Sequence, residues 1–172
     1  LYRVALTLTS SRELEAMLAQ CLQAFVKELR AEAGVIFRIQ TSAIGDLSIN
    51  RAASVSDARH EEDLQMALAH LEQEGPLPVE LPGHCGDINL MAIPGFGALG
   101  MVTKPYDTPS NLLVGLDPLL AALGRSCATC IHIQEEARHE ESRIMADILA
   151  ARTRELNART RELDAALQRT QE

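Results

Sequence analysis

A seven-residue repeat near the end of the sequence constrains the fold more than any other feature. Segment 152–158 reads RTRELNA and segment 159–165 reads RTRELDA, so six of seven positions are identical. A strict period of seven keeps one face of an α-helix towards a partner helix only when the two helices supercoil. The repeat therefore predicts a helix that pairs with another helix as a coiled coil.

The contact face of this helix, named the seam, follows from the positions of its leucines. With leucines at the d positions of the heptad, the seam and predicted dimer interface consists of Leu149, Thr153, Leu156, Thr160, Leu163 and Leu167. The seam is weak, because threonine at an a position buries less apolar surface than isoleucine or valine. The apolar residues just before Leu149 do not continue its register, which predicts a phase shift there.

The helix that carries the seam is predicted to begin at Asp117-Pro118, where an N-cap residue precedes proline. No proline follows Pro118, and Gly124 is the only glycine after it, so the helical pattern continues to the end of the sequence. No turn signal would let the chain fold back, which favours a parallel homodimer. The alternative is a single solvated helix with ion pairs such as Glu155 with Arg159.

Two more helices are predicted earlier in the chain. Ser10 and Glu13 have capping-box spacing, and apolar residues recur every three or four positions over 14–29, with Gly34 as the predicted end of the first helix. Asp57 is the predicted N-cap of the second helix, which Gly75-Pro76 stops.

Four strands are predicted from β-branched and aromatic runs, at 35–39, 47–55, 88–93 and 98–103. Turn residues join them in pairs, so the sheet is expected to be antiparallel and covered by helices. The proline- and glycine-rich stretch 77–86 predicts a loop, and Thr108-Pro109 a further helical start. The sequence thus predicts an α+β domain over 1–133 and a coiled-coil linker over 134–172.

The acidic composition excludes several classes of partner. The net charge is −8 and aromatic residues make up 3% of the chain, whereas nucleic-acid binding uses a basic surface and often aromatic stacking platforms. No apolar run reaches the ~20 residues that a membrane helix needs. Four cysteines without a framework spacing indicate reduced thiols. We therefore expect a cytoplasmic segment that contacts neither nucleic acid nor membrane.

The order of elements resembles a GAF-like sensory domain, of the GAF/PAS type, followed by a signalling helix. The likeness rests on a helix over 10–33, a strand over 33–39, a hairpin over 88–102 and the helix opening LLAAL at 119–123. Segment 151–172 is similar to the linkers that precede the phosphoacceptor helices of sensor histidine kinases, and sometimes a diguanylate cyclase domain. The resemblance implies a homodimer that senses a small molecule of unknown identity and relays it to an output domain in the same polypeptide.

A ligand site is expected near the proline- and glycine-rich loop, because such loops border the pocket in the folds that the chain resembles. The candidate ligand-binding residues are His84 and Cys85 in the loop, and Asn89 and Met91 in the strand after it. A bilin chromophore is not expected, because bilin-binding members use the order Cys-His. The plain alternative is an exposed loop without a role.

Cys127 and Cys130 lie one helical turn apart and are the candidate redox residues. Covalent haem needs a histidine directly after the second cysteine, but Ile131 intervenes before His132. Cysteines on a buried helix face usually only pack. No second pair of ligands has a useful spacing, so no metal site is predicted.

No catalytic motif is recognisable in the sequence. His139-Glu140 meets the minimum for a phosphoacceptor histidine but lacks its flanking residues, and no phosphate-binding loop is found. We expect a regulatory segment without enzymatic activity or an evident cofactor. A ligand-free architectural dimer module and a thiol or metal sensor remain as alternatives.

Overall fold

Three α-helices and five β-strands make up the described part of the chain. The computed structural model describes residues 13–42, 45–104 and 115–171, except for the side chains of 164–168, 170 and 171. The helices are α1 (Leu14–Glu28), α2 (Glu61–Glu72) and α3 (Asp117–Gln171). The strands are β1 (Ala33–Thr41), β2 (Leu47–Val55), β3 (Val79–Pro82), β4 (Asp87–Ile93) and β5 (Gly97–Thr103).

The five strands form one antiparallel sheet in the order β2-β1-β5-β4-β3. The two predicted hairpins are present, since β1 pairs with β2 and β4 with β5. Gly45 and Gly95 have φ angles of 91° and 73° at their turns, a conformation that favours glycine. Pairing of β1 with β5 joins the two hairpins at the centre of the sheet. The predicted α+β class with an antiparallel sheet is confirmed.

Helices cover both faces of this sheet, which gives the domain three layers. Along β1, Ile36 packs on the side of α1 and the first turns of α3, whereas Val35 and Phe37 pack on the side of α2. This alternation is the period of two that a strand imposes on its side chains. Burial of a large apolar side chain such as Phe37 contributes roughly 1.5–3 kcal/mol.

Gly34 has a different role from the predicted one. Helix α1 ends at Glu28, and Arg30 just after it takes a left-handed conformation with φ of 53°. Gly34 lies in β1 instead, where an added Cβ would stand 2.7 Å from Val26 Cγ2 and 2.9 Å from Leu22 Cδ1. It therefore allows α1 to approach the sheet closely. The predicted cap Ser10 and the pair Thr108-Pro109 lie outside the described residues.

The predicted loop over 77–86 contains a strand that was not predicted from the sequence. Strand β3 pairs with β4 at the edge of the sheet, with Val79 opposite Leu90 and Pro82 opposite Asp87. Proline is tolerated on an edge strand because the outer side of the strand makes no ladder hydrogen bonds. The prolines therefore indicated the edge of a sheet and not the absence of a strand.

The start of α2 also differs from the prediction. Asp57 precedes a short 3-10 turn, Ala58–His60, and its side chain makes no cap hydrogen bond. The Asp57 carboxylate instead accepts a hydrogen bond from Arg59 Nε at 3.0 Å. This extra turn places the side chain of His60 in the interior.

Helix α3 begins at Asp117, as predicted, and continues for 55 residues. At 1.5 Å per residue its length is about 80 Å. Gly124 allows close packing of its first turns, because an added Cβ would overlap the Pro94 carbonyl oxygen.

The chain divides into two compact units, Leu1–Ile131 and His132–Glu172. The first contains the sheet and both core clusters, and the second consists of the later part of α3. Within the described ranges, no helix combines the length and apolarity that crossing a membrane requires.

Candidate functional site

The second unit exposes a row of large apolar side chains. The exposed fractions of Leu149, Leu156 and Leu163 are 61%, 56% and 65%. Single exposed leucines are ordinary on a protein surface, but leucines spaced by seven on one helix form a continuous stripe. Further exposed apolar residues earlier in the same helix are Ile133, Ile144, Met145 and Ile148. Such a stripe is typical of an interaction surface.

The two threonines of the seam have their hydroxyl groups paired inside the helix. Thr153 Oγ1 donates to the Leu149 carbonyl oxygen at 2.9 Å, and Thr160 Oγ1 donates to that of Leu156 at 3.0 Å. A buried hydroxyl is costly only when it lacks a partner. Covering the seam would therefore leave no unpaired hydroxyl at these positions. The side chain of the last seam residue, Leu167, is outside the described part.

Ion pairs flank the seam within the same helix. Glu155 Oε2 lies 3.1 Å from Arg152 Nη1, and Glu155 Oε1 lies 3.1 Å from Arg159 Nη2. The predicted pair of Glu155 with Arg159 is thus present. Exposed pairs of this kind contribute only about 0–1 kcal/mol. They support the helix in either a single or a paired state, so the apolar stripe carries the argument for pairing.

The structure separates the four predicted ligand-binding residues. His84 and Cys85 are exposed in the loop between β3 and β4, whereas Asn89 and Met91 are buried in β4. The Asn89 amide donates to Thr103 Oγ1 at 3.0 Å. Its position on the strand, in step with Met91, turns it towards the core on the side of α1 and α3. The backbone of His84 and Cys85 bonds instead to Asp63 of α2, so the four residues do not share one cavity.

A concavity of ≈ 210 Å³ lies elsewhere on the domain, between the start of α1, the second half of β1 and the middle of β2. Its lining includes Arg38, Gln40 and Asn50, with Phe96 from the turn between β4 and β5. A register shift between Ile36 and Phe37 in the pairing with β2 marks a β-bulge beside it. The volume is below the ≈ 300–1,000 Å³ typical of small-molecule pockets. None of the four predicted ligand residues lines it.

Cys127 and Cys130 lie in the core, together with Cys21 of α1. Burial, with the neighbouring thiols of Cys130 and Cys21, raises the pKa of Cys127 to about 12. Burial raises the pKa of Cys21 to about 11. Since the thiolate is the reactive form, these positions are poorly suited to rapid redox chemistry. All four cysteines of the chain are free.

His60 lies in a cluster that was not among the predicted sites. Its side chain is 1% exposed, and neither ring nitrogen has a hydrogen-bond partner within the described chain. One donor atom each from His60, Asp63 and Cys85 lie within 4.8 Å of one another. The cluster therefore unites an imidazole and a carboxylate from the start of α2 with a thiol from the loop between β3 and β4.

The Asp63 carboxylate fixes the loop that carries the thiol. Asp63 is fully buried, and its Oδ1 and Oδ2 accept hydrogen bonds from the backbone N–H groups of His84 at 2.6 Å and Cys85 at 3.1 Å. Gly83 permits this close packing, because an added Cβ would stand 2.7 Å from Asp63 Oδ1. Cys85 Sγ in turn donates to the Arg59 carbonyl oxygen at 3.2 Å.

Acidic groups surround the imidazole of His60. Its Nε2 lies 3.5 Å from Asp57 Oδ1 and 3.8 Å from Glu32 Oε2. Neither contact is a hydrogen bond, and within the described ranges both ring nitrogens of His60 lack a hydrogen-bond partner. Partial desolvation and the Asp63 charge raise the pKa of Cys85. The two carboxylates beside the imidazole are themselves paired, Asp57 with Arg59 at 2.9 Å and Glu32 with Lys104 at 3.6 Å.

Spacing alone gave a partial signal for this cluster. Asp57, His60 and Asp63 are three residues apart, which places them close together on one helical stretch. Cys85 joins them only through the fold, and no local pattern in the sequence predicts that contact.

A comparison with the models of known protein families gave no match, and a comparison with curated proteins gave none either. A function for this chain therefore has to be inferred from its own geometry.

Proposed function

We propose that the chain is the sensory and dimerisation segment of a signal-transduction protein, in which two copies pair through the seam. The first turns of α3 pack in the domain core, and the seam lies further along the same helix. A repacking at the start of a helix alters the rotation or register of a coiled coil further along. The output domain expected in the same polypeptide would read that change.

The observation that carries this proposal is the exposed leucine stripe at intervals of seven. A second copy of the chain is the occupant that fits, because a parallel two-fold pair brings each d leucine against its counterpart. Charge also permits this pairing. Segment 152–165 contains four arginines against two glutamates and one aspartate, so two copies do not repel each other strongly.

The sensory part of the proposal rests on the GAF-like resemblance. An N-terminal helix, an antiparallel sheet built from hairpins, and a long final helix all agree with it. We place the segment in a cytoplasmic protein of the sensor histidine kinase type, with a regulatory and not a catalytic role. The free cysteines support a reducing compartment.

Sedimentation equilibrium of the chain and two charge variants tests the pairing. The wild-type chain is expected to be a dimer, and Leu156→Glu a monomer, because the change puts a charge at the centre of the seam. Ala158→Glu is the matched control, since position 158 is exposed on the opposite face of the heptad. A monomeric wild-type chain at high concentration would reject the proposal. Equal loss of dimer in both variants would reject the assigned face.

A thermal-shift screen against small metabolites tests the sensory part separately. A ligand that binds the folded state raises the unfolding midpoint by mass action. If the chain dimerises and no compound raises its unfolding midpoint, the ligand-free architectural module is favoured over the sensor.

A further inference from the structure

We propose that His60, Asp63 and Cys85 bind a divalent transition-metal ion, with Zn²⁺ as the ion that this donor set fits best. The three donor atoms lie within 4.8 Å of one another, so small rotamer changes bring them onto one ion. Zn²⁺ accepts imidazole nitrogen, carboxylate oxygen and thiolate sulfur in a tetrahedral arrangement.

The buried imidazole is the strongest sign of a missing partner. A histidine that is 1% exposed, with two ring nitrogens that have no hydrogen-bond partner among the described residues, is unfavourable, because buried polar groups normally make hydrogen bonds. A metal ion bound to one nitrogen would satisfy that atom. The interior position of His60 arises from the 3-10 turn before α2, so the backbone holds the ring in place.

The other two donors differ in exposure, which gives the ion a way in. Asp63 is buried, but a carboxylate oxygen that accepts one N–H bond keeps a lone pair for a metal. Cys85 is exposed at the surface of the domain, so the site opens to solvent on its side. On binding, the Cys85 thiol becomes a thiolate and its proton passes to water.

Nearby charges favour a cation at this position. The carboxylates of Asp57 and Glu32 lie 3.5 Å and 3.8 Å from His60 Nε2, and either can supply a fourth ligand. Arg59 pairs with Asp57 at 2.9 Å and Lys104 with Glu32 at 3.6 Å, so the acidic groups are partly neutralised already. The three carboxylates of Asp57, Glu32 and Asp63 still outnumber these two cations.

Metal binding goes beyond the proposed function and does not depend on it. The ligands all belong to the first unit, so a monomer binds as well as a dimer. Use of the ion as the sensed input would rest on the proposed function, whereas binding itself would not. Stoichiometry per chain tests the site, and sedimentation tests the pairing, so failure of one is distinguishable from failure of the other.

Titration of the metal-free chain with Zn²⁺ and Co²⁺ tests the proposal. Calorimetry is expected to give one Zn²⁺ per chain, and Co²⁺ is expected to show tetrahedral visible bands with a thiolate charge-transfer band in the near ultraviolet. Zn²⁺ should also protect Cys85 from alkylation. Absence of saturable binding would overturn the proposal.

Two variants in the same loop assign the ligands. Cys85→Ala should remove the charge-transfer band and weaken Zn²⁺ binding by at least about tenfold, the lower end of what supporting residues of metal sites contribute. Cys85 is exposed, so this change should preserve the fold. His84→Gln is the control, because its ring is exposed and only its backbone N–H bonds to Asp63. A band that survives Cys85→Ala, or binding that His84→Gln abolishes, would contradict the assignment.

Discussion

At the scale of single residues, Asp63 links α2 to the loop between β3 and β4. Its buried carboxylate accepts two backbone hydrogen bonds, at 2.6 Å and 3.1 Å. In Asp63→Asn one of these N–H groups would face an amide N–H₂ group. We expect the free energy of unfolding to fall by about 1–3 kcal/mol, measured by urea denaturation without metal.

Glu62→Gln is the control for this change. Glu62 is adjacent in sequence, but its side chain is exposed and its contact with His84 Nε2 is 4.0 Å long. Its loss should change stability by less than about 0.5 kcal/mol. Equal stability of the Asp63→Asn variant and the wild-type chain would contradict the role assigned to Asp63.

The cysteines should differ sharply in reactivity. With a pKa of about 12, Cys127 is a thiolate in about one molecule in 10,000 at pH 8. The thiolate fraction becomes large only when the pH approaches the raised pKa, and the same holds for Cys21, whose pKa is about 11. We expect iodoacetamide at pH 8 to label Cys85 in the folded protein, and Cys21 and Cys127 only after unfolding.

Peptide mapping by mass spectrometry measures this order of labelling. Labelling of Cys127 in the folded protein at the rate of Cys85 would show that the core opens readily. That result would favour the thiol sensor built on Cys127 and Cys130.

At the scale of elements, the strength of the seam depends on its threonines. Replacing Thr153 and Thr160 by isoleucine exchanges each hydroxyl for an ethyl group, a net gain of at least about one buried CH₂ group at each position, or four per dimer. At about 0.8 kcal/mol per buried CH₂ the dimer gains about 3 kcal/mol, roughly a hundredfold in Kd. Isoleucine at a with leucine at d also favours two-stranded parallel coils. Sedimentation equilibrium measures the change in Kd.

The matched control is Thr129→Ile, the same substitution on α3 outside the seam. Thr129 is exposed, and its hydroxyl bonds to the Arg125 carbonyl oxygen at 3.0 Å, as the seam threonines do to theirs. This variant should leave Kd unchanged. An unchanged Kd in the double seam variant would show that positions 153 and 160 do not face the partner.

Most elements of the fold could be predicted because their signals are local. The turn at Gly45, the tight turn after β4 and the Asp117 helix start each follow from a few neighbouring residues. The misses have tertiary causes. Strand β3 forms only because β4 offers it an edge, and Gly34 is explained only by the α1 side chains that pack above it.

The two candidate sites also differ in how far the sequence predicts them, because one depends on a local pattern and the other on tertiary contacts. The seam is periodic in sequence, so the heptad repeat alone names its residues. In the cluster around His60, the histidine and Asp63 are three residues apart in sequence, but only the fold brings Cys85 of the distant loop to them. The four predicted ligand residues remain a prediction, and the structure places His84 in an exposed loop bonded to Asp63 and Asn89 in the buried strand β4.

At the scale of the whole molecule, the first unit should fold without the second. The buried apolar residues of the described chain all lie at or before Cys130. We expect a chain shortened to residues 1–136 to unfold cooperatively and to remain monomeric where the full chain is dimeric. Thermal denaturation followed by circular dichroism, with sedimentation, checks both. A shortened chain without a cooperative transition would show that pairing is needed for folding.

The central claim is that the seam faces its own counterpart in a parallel pair, and cysteine cross-linking tests it most directly. In a Cys85→Ala background, which removes the exposed native thiol, Leu156→Cys and Ala158→Cys are oxidised separately. A parallel coiled coil brings d positions together and keeps position 158 on the outside. We predict covalent dimers for Leu156→Cys and monomers for Ala158→Cys on a non-reducing gel. Monomers in both, or dimers to the same extent in both, would contradict the account.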